Sequence, residues 1–433
     1  MRNLLRRIWE DKHGNALVLG AAALPLLLGS AGLATDTIQW ALWKRQLQRA
    51  ADSAAIAGVY ERVDKDGATT TVEAAVNHDL TINHHTGIAL ETGYPQVTFP
   101  ANETGKANMV NVVLAVRRPL SFSSMFMSAA PQIQVSARAA AVSSAAEFCV
   151  LSLQNNSKTG IQVTGNAEIL MDCGWMTNST STNAAAGQGS SRITATTLAA
   201  AGGIQASRNW NVIAYQPYSP QLEDPYKDLN PDEDDFEDCA ENPPALAVNG
   251  SNDGQTVSGG ACYSSINIQP NRTVTLANGT YIVSGGNVSI QGTLNLTNAT
   301  LILTNHKADS PIGTFDMMAT GLINATAPST GKWAGMAIYQ DRRAVDDAPT
   351  GNITASSPNK INGTSTNKIT GAIYFPNQQV TYNGDGTGTA TCTQFVAKRL
   401  YWSGNSGINN FTKNCPGTGI RPILAPLKVR LVA

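Results

Sequence analysis

The chain has 433 residues, a formal net charge of −1 and only 14% charged residues. Its 30 Lys and Arg residues are balanced by 31 Asp and Glu residues, and no basic block stands out, which excludes a nucleic-acid binder held by bulk charge. Hydrophobic residues make up 42% of the chain in repeated short runs, so disorder throughout is excluded as well. The 38 glycines and the low aromatic content of 6% favour a turn-rich β structure.

The first feature along the chain is an uncharged apolar stretch of 22 residues, 14–35. As a helix rising 1.5 Å per residue it would reach across a bilayer core of about 30 Å. Four basic residues precede it: Arg2, Arg6, Arg7 and Lys12. By the positive-inside rule we predict a cytoplasmic tail at 1–13, a transmembrane helix at 14–35 and a periplasmic location for the rest. A cleaved signal peptide is the alternative, because Gly32-Leu33-Ala34 offers small residues at the spacing that signal peptidase requires.

The next segment, 36–62, contains neither Gly nor Pro until Gly58 and is rich in Ala, Leu, Gln and Arg, which predicts that the helix continues as a stalk. Residues at three- and four-residue spacing give this stalk a narrow face of mostly small side chains: Leu47, Ala50, Ala51, Ala54 and Gly58. Such a face allows close helix packing, either on the chain's own domain or on a partner helix, including a second copy of the chain.

Three strings in this region carry a resemblance: Asp11 to Ala16 (DKHGNA), Gly32 to Asp36 (GLATD) and Leu47 to Gly58 (LQRAADSAAIAG). Together they resemble the N-terminal segment of TadG-like proteins, which are associated with the bacterial Tad systems that assemble Flp-type pili. The resemblance implies an inner-membrane component of pilus assembly that contacts other assembly proteins. Leu19 stands where pseudopilins of these systems carry Glu, so processing and insertion into the filament are not implied.

Two regions follow the stalk. Residues 63–145 predict a small α+β periplasmic module, with a helix over 68–80 and strands over 96–99, 111–116 and 132–136. Residues 146–433 are rich in Gly, Asn, Ser and Thr and contain short apolar triplets separated by turn residues, as in Val274-Thr-Leu276 and Leu294-Asn-Leu296. This pattern favours a parallel β-helix or solenoid over a β-sandwich of hairpins. An acidic, Pro-rich stretch at 215–244 predicts an exposed insertion.

All six cysteines lie in the β-rich region: Cys149, Cys173, Cys239, Cys262, Cys392 and Cys415. Export to an oxidising compartment makes disulfides plausible, and pairing of sequence neighbours is our prediction among the fifteen connectivities that six cysteines allow. The cysteines show no spacing typical of a metal site, and no cofactor is implied.

A membrane-tethered, polysaccharide-active enzyme is a further alternative. Asp316 and Asp341 could serve a polysaccharide-cleaving β-helix, since glycoside hydrolysis needs two carboxylates, but no nucleophile motif accompanies them. The sequence therefore predicts a non-catalytic, single-span protein of the inner membrane, and a surface adhesin with a β-solenoid binding domain is the alternative.

Overall fold

The computed structural model describes residues 15–82, 89–142, 147–237, 239–348, 350–363, 367–384, 392–405, 407–410, 415–425 and 428–432. The predicted cytoplasmic tail lies outside these residues. The chain divides into two compact units, one formed by residues 1–144 with 427–433 and the other by residues 145–426. We call them the anchor unit and the β unit.

The anchor unit begins with one long helix, α1, Asn15–Asp64. The predicted span and stalk are continuous in it, because the segment contains no helix breaker except Pro25. A second helix, α2, follows at Val72–Ile82 and presents Val72 and Val76 to the core. The predicted helix over 68–80 is therefore present but begins four residues later.

The sheet of the anchor unit contains β1 (Gln96–Thr98), β2 (Lys106–Arg117) and β3 (Gln132–Val142), all antiparallel. The C-terminal strand of the chain, Lys428–Leu431, pairs antiparallel with β3. The end of the chain therefore lies in the anchor unit, whereas the sequence analysis had included it in the β-rich region. A short 3₁₀ turn, Ser123–Met125, interrupts the connection between β2 and β3.

The β unit consists almost entirely of short strands. In chain order they are β4 (Glu147–Ser152), β5 (Ile161–Val163), β6 (Glu168–Met171), β7 (Gly174–Thr177), β8 (Ala185–Gly187), β9 (Arg192–Ala200), β10 (Trp210–Gln216), β11 (Leu246–Val248), β12 (Gln255–Ser258), β13 (Ala261–Tyr263), β14 (Ile266–Ile268), β15 (Thr273–Ser284), β16 (Val288–Ile290), β17 (Thr293–Thr304), β18 (Phe315–Met317), β19 (Leu322–Thr326), β20 (Met336–Gln340), β21 (Lys360–Gly363), β22 (Lys368–Gly384), β23 (Thr393–Ser403), β24 (Gly407–Asn410) and β25 (Ile423–Leu424), with a 3₁₀ turn at Asp234–Phe236.

Most of these strands pair in parallel with a strand in the next coil of the chain. In β15 and β17, Val274 lies opposite Leu294, and Leu294 in turn lies opposite Ile323 of β19. Asn278 and Asn298 adopt positive φ at successive corners, and the Asn298 Nδ2 donates to the Asn278 Oδ1 at 3.1 Å. Apolar triplets thus stack on apolar triplets and Asn stacks on Asn, which is β-helix-like pairing rather than the consecutive hairpins of a sandwich.

The order of the coils in the stack differs from their order in the chain. β23, near the end of the unit, pairs in parallel with both β22 and the first strand, β4. The first coils, ending at β10, therefore lie at one end of the stack, and the coil containing β11 to β13 lies at the other. The connection between them, residues 217–245, must cross the intervening coils, and we call it the strap.

Candidate anchor helix and surfaces of the β unit

The N-terminal half of α1 carries an exposed apolar surface. Its large side chains are 58–76% exposed: Leu19, Leu24, Leu26, Leu27, Leu28 and Leu33. Among the described residues this is the one helix long and apolar enough to cross a membrane. The helix fits a single-pass membrane anchor.

The C-terminal half of the same helix is covered by the anchor unit's own sheet. Every residue of the predicted small-residue face is buried: Leu47, Ala50, Ala51, Ala54 and Gly58. A Cβ added at Gly58 would lie 3.0 Å from Val110 of β2 and 3.1 Å from Val72 of α2, so only hydrogen fits there without adjustment. The face packs within the unit, and a homo-oligomer contact through it, one of our two predicted uses, is not available in this fold.

The strap lies along one side of the β unit and is held by contacts to successive coils. The backbone N–H of Leu222 donates to Asn178 Oδ1 at 2.8 Å, next to β7. Farther along, the Tyr226 hydroxyl donates to Gln394 Oε1 of β23 at 2.6 Å, and the Tyr339 hydroxyl of β20 donates to the Leu229 carbonyl at 2.7 Å. The predicted insertion is exposed along most of its described residues, and it is held to the outer side of these strands by three buried side chains, Leu222, Tyr226 and Leu229.

Aromatic rings line the surface under the strap. Tyr339 and Tyr374 are stacked with centroids 5.1 Å apart, and Trp333 and Tyr226 contact them edge to face. The Tyr374 hydroxyl donates to Asp224 of the strap at 2.7 Å. Burial, assisted by the nearby Asp224 charge, raises the pKa of Tyr374 far above its ordinary value, so the ring stays neutral at physiological pH.

Two residues of the acidic run, Asp232 and Asp235, are paired where the strap meets the loop before β20. The Lys332 ammonium lies 2.6 Å from Asp232 and 2.5 Å from Asp235, and the Trp333 indole donates to Asp235 Oδ1 at 2.7 Å. Within the described residues, no group of three His, Cys, Asp or Glu side chains converges as a metal site would require.

A cleft of about 530 Å³ opens between the strap and the ends of β17 and β20, and Asp341 lies on its wall. The Asp341 carboxylate accepts hydrogen bonds from the Thr304 hydroxyl at 2.6 Å and from the Arg343 guanidinium at 2.8 Å. Burial alone would raise the pKa of Asp341, but these hydrogen bonds hold it below the ordinary value. Asp341 is therefore held in its ionised form by the Arg343 and Thr304 contacts, unlike the general acid of a glycosidase, whose pKa is raised.

A second carboxylate cluster is fully occupied by basic side chains. Arg399 of β23 has no exposed side-chain surface, and its guanidinium donates to Asp347 Oδ1 at 2.7 Å and to Asp346. Lys398 lies 2.7 Å from Asp346. Burial opposes ionisation of Asp346, yet the Arg399 and Lys398 hydrogen bonds hold its pKa well below the ordinary range. This geometry is that of a structural ion pair.

The structure joins the six cysteines in the predicted neighbouring pairs: Cys149–Cys173, Cys239–Cys262 and Cys392–Cys415. The second of these fixes the far end of the strap to β13. In the interior of the β unit, Trp175 and Trp402 are fully buried, with ring centroids 4.6 Å apart. These tryptophans fill the core and do not form an exposed platform for sugar rings.

One known protein family is similar to this chain over the long helix α1. Residues 14–64 match the Tad model, described as putative Flp pilus-assembly TadE/G-like. This confirms the resemblance predicted from the sequence strings, and the matched range ends where α1 ends. The Tad domain supports a role related to pilus assembly and fits a membrane anchor.

Beyond the Tad segment, the comparisons contribute little. No curated protein matches the chain. A solved structure, the crystal structure of an ice binding protein from an Antarctic Biological Consortium, is 11% identical and covers 61% of this chain and 87% of its own, with a TM-score of 0.23. That score is too low for this likeness to support any conclusion.

Proposed function

We propose that the protein is a non-catalytic structural component of Tad/Flp pilus assembly, anchored in the bacterial inner membrane by the first half of α1. The N-terminus lies in the cytoplasm and both folded units lie in the periplasm. The observation that carries this proposal is the coincidence of the Tad match, residues 14–64, with a helix that is apolar and exposed in its first half and packed in its second.

The two halves of α1 suit different tasks. Because the small-residue face is already buried by the unit's own sheet, the stalk serves to fix the anchor unit directly above the membrane. Contacts with other assembly proteins then fall to the exposed side of the span and to the periplasmic units. The three disulfides suit the oxidising periplasm.

The absence of an enzymatic role is supported by the state of the carboxylates. Asp341, one of the two candidate carboxylates, is paired with Arg343, and Asp346 and Asp347 are paired with Arg399 and Lys398.

The topology can be tested with reporter fusions in the native host. Alkaline phosphatase joined after Asp64 should be active, because the enzyme needs periplasmic oxidation, whereas a fusion at the N-terminus should be inactive. Activity of the N-terminal fusion alone would contradict the proposed orientation. Replacing residues 15–31 with an unrelated polyleucine span leaves Gly32 and its contact with Phe122 in place and should keep the protein in the membrane. A loss of filaments in that strain would place partner contacts on the span.

A further inference from the structure

The connection between β2 and β3 follows α1 towards the proposed membrane span. The Arg118 guanidinium lies 4.5 Å from the ring centre of Trp43, and Gln39 Nε2 donates to the Ser121 hydroxyl at 3.0 Å. One helical turn nearer the span, Asp36 is buried and accepts a hydrogen bond from the Ser123 hydroxyl at 2.5 Å. The connection therefore contacts one stripe of the helix, turn after turn.

The last contact reaches the span itself. A Cβ added at Gly32 would lie 2.3 Å from Cδ2 of Phe122, so the phenylalanine ring packs directly on the helix backbone. Gly32 belongs to the uncharged stretch 14–35 that we propose crosses the membrane. Phe122 consequently lies at the depth of the last turn of the span.

The tip of this connection is apolar and exposed. Met125 and Phe126 are 75% exposed and Met127 is 49% exposed, although their side chains are apolar. From Pro119 to Ala137 the sequence contains no charged residue. We call residues 120–127 the membrane-facing loop.

The N–H groups of this loop are paired from Phe122 to Met127. The N–H of Ser124 donates to the Leu120 carbonyl at 3.0 Å, and the N–H groups of Phe126 and Met127 both donate to the Ser123 carbonyl at 2.9 Å. The N–H groups of Phe122 and Ser123 donate to Asp36. Paired N–H groups lower the cost of placing this backbone in an apolar environment, where an unpaired group costs several kcal/mol.

Residues of α1 also indicate the position of the membrane–water interface. Trp40 is partly exposed, and the Lys44 ammonium lies 5.0 Å from its ring centre, with Trp43 and Arg45 close by in the sequence. Trp with Lys and Arg is typical of the membrane interface. At 1.5 Å per residue, Gly32 lies about 12 Å along the helix from Trp40, on the membrane side.

We propose that the membrane-facing loop inserts Met125, Phe126 and Met127 into the lipid leaflet from which α1 emerges, giving the anchor unit a second contact with the membrane beside its helix. This inference rests on the proposed membrane anchor. Lipid is the occupant because the loop is fixed to the end of the span through Asp36 and Gly32, and its exposed apolar side chains resemble those of the span, such as Leu33. The loop carries no charge that would pair with a polar partner. Insertion at two points would restrict tilting of the unit on the membrane.

A single introduced cysteine tests this, since all six native cysteines are in disulfides. The full-length Phe126→Cys variant would be labelled with an environment-sensitive fluorophore, reconstituted in phosphatidylcholine–phosphatidylglycerol vesicles and quenched with doxyl-labelled lipid or with aqueous iodide. Leu33→Cys reports on the span, and Thr70→Cys, an exposed position after the end of α1, reports on water. Met125→Cys is a second loop reporter should Phe126→Cys fold poorly.

We expect lipid quenching at Phe126 comparable to that at Leu33, blue-shifted emission at both, and iodide quenching only at Thr70. Lipid quenching at Leu33 without any at Phe126 would overturn the loop proposal and leave the anchor intact. Loss of lipid quenching at both positions would overturn the anchor itself. Protection of Phe126 from iodide and lipid alike would show that protein covers the loop, and would also overturn the proposal.

Discussion

The Asp36 carboxylate accepts hydrogen bonds from the backbone N–H groups of Phe122 and Ser123 at 2.8 and 2.5 Å, although these residues lie 86 and 87 positions later in the chain. In the sequence, Asp36 was notable only as the last residue of the string from Gly32 to Asp36. In the structure it attaches the β2–β3 connection to the helix where the span ends. The position of the loop relative to the helix depends on this carboxylate.

Asp36→Ala should release the membrane-facing loop, since it leaves two backbone N–H groups and the Ser123 hydroxyl without an acceptor. We expect amide hydrogen exchange at Phe122 and Ser123 to accelerate by about tenfold or more. Thr37→Val is the matched control, because the Thr37 hydroxyl donates only to the Leu33 carbonyl of its own helix. Equal exchange in both variants would contradict the role of Asp36.

Gly32→Val should push Phe122 away from the helix, because the added carbons occupy the space of its ring. In the Phe126→Cys background we expect weaker quenching by doxyl-labelled lipid, since the loop loses its fixed position. Gly29→Val is the control: a Cβ at Gly29 meets nothing within 4 Å. If the two valine variants quench alike, the ring contact does not position the loop.

Arg399→Met should destabilise the β unit strongly, because it leaves Asp346 and the buried Asp347 without their main partner. Removing one member of a buried ion pair costs about 3–5 kcal/mol in the free energy of unfolding. Denaturant titration of the β unit measures this cost. Lys227→Met, which removes an exposed i,i+4 pair with Glu223, should leave the midpoint unchanged. A small loss for Arg399→Met would show that the site relaxes or admits water.

The same cluster predicts acid sensitivity. The pKa of Asp346 is lowered in the folded state, with Arg399 and Lys398 outweighing the opposing effect of burial, so the unfolded chain binds the proton more readily. Its contribution to stability is complete above the ordinary carboxyl pKa of about 4 and declines as pH falls below that value. Asp346→Asn should be less stable at pH 7 and show a shallower decline in acid. If the free energy of unfolding of Asp346→Asn falls with pH as steeply as that of the wild type, ionisation of Asp346 does not contribute to acid sensitivity.

The anchor unit should fold without the β unit. Val142 of β3 lies opposite Lys428 of the C-terminal strand in antiparallel register, so a two-residue Asn-Gly turn can replace everything between them. We expect this short chain to keep the circular dichroism of a helix–sheet protein in detergent. Residues 1–142 alone, which lack the fourth strand, should be less stable to heat. If the short chain with the Asn-Gly turn is unfolded, the anchor unit requires the β unit.

Short-range sequence patterns were sufficient to predict many of the helices and strands. The helix, the antiparallel strands and the apolar triplets are short-range features, and residues such as Leu47 and Ala54 were identified from helical spacing alone. The path of the strap across the coils was not predicted, because the coils are stacked in a different order from the chain and this follows from the long-range β4–β23 pairing. One signal was available, namely the apolar spacing of Leu222, Tyr226 and Leu229 inside the Pro-rich stretch.

The prediction left the choice between self-packing and partner packing of the small-residue face open, since both uses need the same spacing. The C-terminal strand was misplaced for a related reason. Its four residues resemble any short β strand, and only the register with β3 assigns them to the anchor unit. Contacts between residues hundreds of positions apart leave no periodic trace in a single sequence.

The central claim, a structural role in pilus assembly, is tested most directly by electron microscopy of surface filaments on cells that lack this gene, with adherence measured on the same cells. We predict that filaments and adherence are both lost, and that the full-length chain restores both. Normal filaments with lost adherence would indicate a surface adhesin instead, and normal filaments with normal adherence would contradict the account.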